Sequence, residues 1–82
     1  MPIDVKDADR MRVLNMIRKA YLHDKVSIMV VLAAVNNSSF RGKDLEGILV
    51  EAEVGETTVD SEERHQLMTK LREELREKRY LS

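Results

Sequence analysis

The stretch that decides the fold class is KVSIMVVLAAVNNSS, residues 25–39. From Ile28 to Val35 it is an unbroken apolar run, and periodicity cannot separate a buried strand from a buried helix in such a run. Its β-branched residues favour a strand, whereas Met29 and the alanine pair favour a helix. The alanines and the NNSS stop predict a helix over about 26–36, buried on nearly all sides. A strand is the alternative, and either form places the run inside the fold or in a dimer interface, because an exposed edge would aggregate.

On the N-terminal side, DADRMRVLNMIRKAY carries apolar residues at helical spacing. The stripe predicts an amphipathic helix over 8–22, with Asp7 or Asp9 capping its start. Its members are Val13, Leu14, Ile17, Ala20 and Tyr21.

On the C-terminal side, SSFRGK is predicted to be a loop or a very short strand. After it, four residues at i, i+3, i+4 and i+7 predict a short helix, namely Leu45, Ile48, Leu49 and Ala52. Gly47 weakens this helix by about 1 kcal/mol relative to alanine. The helix is predicted to end at Gly55. A strand over ILVEAEV, residues 48–54, is the alternative.

The last predicted helix covers about 64–78. Asp60 and Glu63 have capping-box spacing, and Ser61 is an alternative cap. One face of the helix is apolar, formed by Leu67, Met68, Leu71 and Leu75. Tyr80 and Leu81 follow the charged segment REKR immediately, which predicts that the chain turns after the helix and returns to the core.

Composition bounds the class of protein. The 82 residues predict a single domain, 1–82, whose core supplies about 3–5 kcal/mol, so a partner chain is expected. There is no cysteine, which excludes disulfides and thiolate metal sites and favours a reducing compartment. No apolar run approaches the roughly 20 residues of a membrane span. A cytoplasmic protein with no membrane partner is predicted.

The net charge of −1 conceals an uneven distribution. Residues 1–43 carry +4, residues 44–63 carry −8 with no base, and residues 64–82 carry +3. A uniformly basic DNA-wrapping protein is disfavoured, since counterion release needs clustered Lys and Arg. A local basic face remains compatible with this pattern.

The segment LREELREKRYLS, residues 71–82, resembles the end of the recognition helix in winged helix-turn-helix domains. Upstream, SIMVVLAAVNN and KDLEGILVEAEVG resemble the first and second helices, so the resemblance covers about 25–82. Arg79 stands where the family usually has glycine in a left-handed conformation. The resemblance implies a mainly α, compact domain of about four helices with little or no wing, in which 8–22 is an added helix for dimerisation.

This resemblance also implies a function. It predicts a small, dimeric DNA-binding protein that regulates transcription and has double-stranded DNA as its partner. The family's nucleic-acid contacts match residues on the third helix and the approach to the second, and Arg and Gln are suited to guanine and adenine in the major groove. The matching residues are Arg41, Lys43, Arg64, His65, Gln66, Thr69 and Lys70.

The alternative is a non-enzymatic protein-interaction module or inhibitor. Its acidic band, 44–63, would bind a basic protein or mimic nucleic acid, through Asp44, Glu51, Glu53 and Glu56. An enzyme is not expected, because the chain has two histidines, no cysteine nucleophile and no phosphate loop. No cofactor or metal is expected.

Overall fold

The computed structural model describes residues 5–23, 26–54 and 62–81. Their helices are α1 (Val5–Arg18), which continues as a π-helical turn (Lys19–His23), α2 (Ile28–Asn36), α3 (Gly42–Val54) and α4 (Glu62–Glu77). No strand occurs in these three ranges. The radius of gyration is 12.3 Å, close to the roughly 12 Å of a compact domain of this length. The prediction of a mainly α, compact domain of four helices is confirmed.

Helix α1 forms the base on which the others assemble, packing against α2 and α3. Val13, Leu14 and Ile17 are buried, so the predicted stripe is its inner face. The helix begins at Val5, earlier than expected, which makes the predicted caps wrong. Asp7 lies inside the first turn, where its carboxylate still favours the positive end of the helix dipole, and Asp9 pairs with Arg12 instead.

Helix α2 resolves the ambiguity of the apolar run in favour of a helix. A strand here would need a neighbouring strand for its backbone groups, and the described chain around it is helical. Val31, Leu32 and Val35 are buried, but Met29 is 74% exposed and Val30 43%. The prediction of burial on nearly all sides is therefore wrong, because the core lies against one side of this helix only.

Helix α3 carries the most completely buried stripe. Leu45, Ile48, Leu49 and Ala52 are all 0% exposed, which confirms the predicted helix and makes the alternative strand over 48–54 wrong. Gly42 starts the helix with a φ of 59°, a conformation that suits glycine. Gly47 faces outward with no atom within 4 Å of the place a Cβ would take. The predicted stop at Gly55 lies outside the described residues.

Helix α4 closes the core from the other side with Met68, Leu71 and Leu75. It begins at Glu62, and the predicted caps at Asp60 and Ser61 lie outside the described residues. The predicted helix is confirmed.

The turn after α4 is a Schellman motif. The N–H of Tyr80 donates to the carbonyl of Leu75 at 2.8 Å, and the N–H of Arg79 donates to that of Arg76 at 2.9 Å. Arg79 has a φ of 64°, as its glycine-like position predicts. Leu81 is buried, and the N–H of Gly42 donates to the Tyr80 carbonyl at 2.7 Å. The predicted return to the core is confirmed.

Candidate nucleic-acid interface

The outer face of α4 is the side of the helix directed away from Met68, Leu71 and Leu75. Its members recur at helical spacing and are all exposed, namely Glu62, His65, Gln66, Thr69, Lys70, Glu73, Arg76 and Glu77. It therefore brings together four of the residues proposed from the sequence to contact bases: His65, Gln66, Thr69 and Lys70.

Arg64 does not belong to this face. It precedes Met68 by one turn and Leu71 by two, so it lies on the inner side of α4, where it is half-buried. Arg64 also interacts with other residues of the chain. Arg64 and Lys70 thus point to different sides of the helix, a difference that their spacing of six residues in the sequence already implies.

Arg41 caps the end of α2. Its guanidinium donates to the carbonyls of Val35 at 3.0 Å and Ser38 at 3.1 Å, which are acceptors at and just after the helix C-terminus. It also lies 4.2 Å from the centre of the Tyr80 ring, at cation–π distance. These contacts give Arg41 a structural role between α2 and the returning tail, and its donors are directed into the protein.

Lys43 extends the candidate interface beyond α4. It is exposed on the first turn of α3 and lines a shallow depression together with Gly42, Glu46, Arg76 and Leu81. This depression places Lys43 close to Arg76, which the sequence reasoning did not select. The signal for Arg76 was available, because it continues the series of outward positions that contains Thr69 and Glu73.

The outer face of α4 has mixed charge. Lys70 and Arg76 are accompanied by three exposed carboxylates, those of Glu62, Glu73 and Glu77. Carboxylates facing phosphates are unfavourable, so this face is a weak electrostatic attractor for DNA by itself. Lys43 of α3 adds one base beside Arg76, in a depression that also contains Glu46.

Three acids of the acidic band form ion pairs within the chain. Glu51 forms an ion pair with Arg10 of α1 at 2.6 Å. Glu53 and Glu46 both bind Arg72 of α4, Glu46 at 3.1 Å. Asp44 is exposed on the first turn of α3, and Glu56 lies outside the described residues.

Arg72 links α3 to α4 and is the most enclosed of these ion-paired bases, with 18% of its side chain exposed. Burial by itself would lower the pKa of Arg72, but hydrogen bonds and charge attraction from Glu53 and Glu46 outweigh it and raise the pKa above its usual value. The guanidinium therefore stays charged at every physiological pH, and the two carboxylates serve the fold.

Among the described side chains, no group of three histidines or acids is placed to hold a metal ion. Within 5–23, 26–54 and 62–81, none of the helices combines the length and the apolar character needed to cross a membrane. Comparison with protein-family models, with curated proteins and with solved structures finds no match for this chain.

Proposed function

We propose that this protein binds double-stranded DNA with the outer face of α4 and acts in the cell interior as a small transcriptional regulator of helix-turn-helix type. The observation that carries the proposal is the shared exposure of His65, Gln66, Thr69 and Lys70 on one side of the third of the three consecutive helices α2, α3 and α4.

The chemistry of these side chains suits the major groove. A glutamine amide pairs bidentately with adenine, a lysine donates to guanine, and a threonine hydroxyl can contact either. The 16 residues of α4 give a helix of about 24 Å, and the major groove, about 12 Å wide, admits a helix. Gln66 and Lys70 are one turn apart, so together they can reach successive base pairs.

We assign the phosphate contacts to basic side chains at the edge of this face. Lys43 and Arg76 take the role that the sequence assigned to Arg41 and Lys43, since Arg41 is directed into the protein. With Glu62 and Glu73 opposing them, we expect modest affinity from one copy and a regulator that binds as a homodimer, in which two copies double the number of contacts.

Fluorescence anisotropy with mixed-sequence duplexes tests the proposal. Binding is expected at about 50 mM salt and should weaken as salt rises, with a slope of roughly −3 per copy for about three neutralised phosphates. Lys70→Ala should lower the magnitude of that slope by about 1. Gln66→Ala should relax sequence preference at one base pair with a loss of about 1–3 kcal/mol.

Lys19→Ala is the matched control, because Lys19 is an exposed base of the π-helical turn, apart from α4's outer face. It should leave the salt slope almost unchanged. Absence of binding at about 50 mM salt, or equal losses from Lys19→Ala and Lys70→Ala, would contradict DNA binding by α4.

The alternative proposal, a protein-interaction module using the acidic band, retains fewer available residues. Glu51 and Glu53 already neutralise Arg10 and Arg72, so a basic partner would have to compete with those ion pairs. Asp44 and Glu51 are the exposed members of the set in the described chain, and Glu51 is the one paired with Arg10. For this reason DNA binding is the function that the geometry supports better.

A further inference from the structure

The exposed side of α2 is uncharged and, apart from Asn36, apolar. Met29, Val30 and Ala33 face solvent there, and residues 26–40 contain no Asp, Glu, Lys or Arg. Elsewhere in the described chain, exposed apolar side chains such as Met11 and Val50 have charged neighbours in the sequence within a turn. An uncharged apolar surface of this kind is typical of a contact with another protein.

A groove runs beside this surface, between α2 and the end of α4. Its α2 side contributes Met29, Leu32 and Ala33, and its α4 side provides one acid and one base a single turn apart. We call it the α2–α4 groove, and it is lined by Met29, Leu32, Ala33, Asn36, Glu74, Lys78 and Tyr80.

We infer that the α2–α4 groove is the surface through which two copies of this chain associate about a two-fold axis. A two-fold interface pairs a surface with itself, so the surface must be self-complementary. The uncharged side of α2 meets its counterpart without repulsion. Beside it, Glu74 of each copy faces Lys78 of the partner subunit when the two α4 ends run antiparallel, which leaves no charge unpaired.

The dimer contact inferred here lies on α2 and α4, whereas the sequence predicted it on the N-terminal helix. The N-terminal helix, expected over 8–22, uses its apolar stripe inside its own chain, where Val13, Leu14 and Ile17 are buried. Its outer side carries Arg12 and Lys19, which would lie near their counterparts in a two-fold pair. Helix α2 differs, because its side with Met29 and Val30 is apolar and is not covered by the described residues.

The area of the α2–α4 groove limits the expected affinity of the dimer. A standard interface buries about 800 Å² on each partner, or roughly a seventh of the 5664 Å² that this chain exposes. Helix α2, with nine residues, is only about 13 Å long, so the contact has to include Glu74, Lys78 and Tyr80. We expect a weak dimer, with a dissociation constant on the order of micromolar to tens of micromolar.

Sedimentation equilibrium of the full chain without DNA tests the inference independently of DNA binding. The protein should convert from monomer to dimer as its concentration rises. Met29→Glu should raise the dissociation constant at least about tenfold, because it places a carboxylate in the centre of an uncharged contact. Met11→Glu, at a site 54% exposed on α1, is the matched control and should leave association unchanged.

A charge exchange tests the pairing itself. Glu74→Lys and Lys78→Glu should each weaken association, and the double variant should restore it, while circular dichroism confirms that all three remain helical. A chain that stays monomeric up to about millimolar concentration overturns the inference. Equal weakening by Met29→Glu and Met11→Glu, or a double variant as weak as the single ones, overturns it as well.

Discussion

Helix α2 is more apolar than α3, with eight apolar residues of nine against six of thirteen, but α3 is the more completely enclosed of the two. In α3 the stripe of Leu45, Ile48, Leu49 and Ala52 is fully enclosed, and charged residues on its flanks pair with α1 and α4. In α2 the core covers one side, and the opposite side is apolar apart from Asn36 but faces solvent. A domain of this size has too few elements to enclose a helix that is apolar on every side. The surplus apolar surface is therefore available for association.

The largest effect should come from truncating a buried side chain of α3, and an exposed side chain of α2 is the comparison. Leu49→Ala in α3 removes a fully buried side chain and should lower the free energy of unfolding by about 2–5 kcal/mol. Met29→Ala in α2 should change it by less than about 0.5 kcal/mol in the monomer, since Met29 is mostly exposed. Urea denaturation at low protein concentration measures both. Similar losses would show that α2 is as enclosed as α3.

A smaller effect is expected from the charges that accompany α3. Arg72→Ala leaves Glu46 and Glu53 without their shared partner and should lower the free energy of unfolding by about 1–3 kcal/mol, the range for hydrogen bonds to charged groups. Arg10→Ala removes the more exposed pair with Glu51 and should lower it by less than about 1 kcal/mol. Thermal denaturation at low and high salt distinguishes them, because screening weakens the exposed pair more. A larger loss from Arg10→Ala would contradict this order.

The smallest effect concerns the glycines of α3. Gly47→Ala should raise the free energy of unfolding by about 0.5–1 kcal/mol, because the site is helical, outward-facing and open. Gly42→Ala should lower it by about 1–2 kcal/mol, because the φ of 59° disfavours a side chain. Chemical denaturation of the two variants gives the sign of each change. If Gly47→Ala is destabilising, the outer side of α3 is not open in solution.

The same contrast explains what the sequence could and could not predict. Helices α1, α3 and α4 were predictable because each carries apolar residues at helical spacing among polar ones. The sequence alone therefore identifies the inner face of each helix. In the run from Ile28 to Val35 composition favoured a helix, but no polar residue marked its outer side. Its exposure depends on which elements the rest of the chain can place around it, and that information is not local.

Some features of the candidate site could also be predicted from the sequence, and others could not. The shared face of Gln66, Thr69 and Lys70 follows from helical spacing. The same spacing indicates that Arg64 lies on another side of the helix and does not belong to the candidate interface. The capping role of Arg41 could not be predicted, because it depends on how the chain passes from α2 into α3 and on where Tyr80 returns. The engagement of Glu51 and Glu53 likewise depends on partners distant in the sequence.

The returning tail has a consequence for how the molecule opens. Tyr80 accepts the N–H of Gly42 with its carbonyl, donates its hydroxyl to Asn36 and supports the guanidinium of Arg41 with its ring. One residue thus joins the last turn of α2, the first turn of α3 and the end of α4 through contacts of different kinds. We therefore expect these three helix ends to open together as one cooperative unit, so their amide protons should exchange at similar rates.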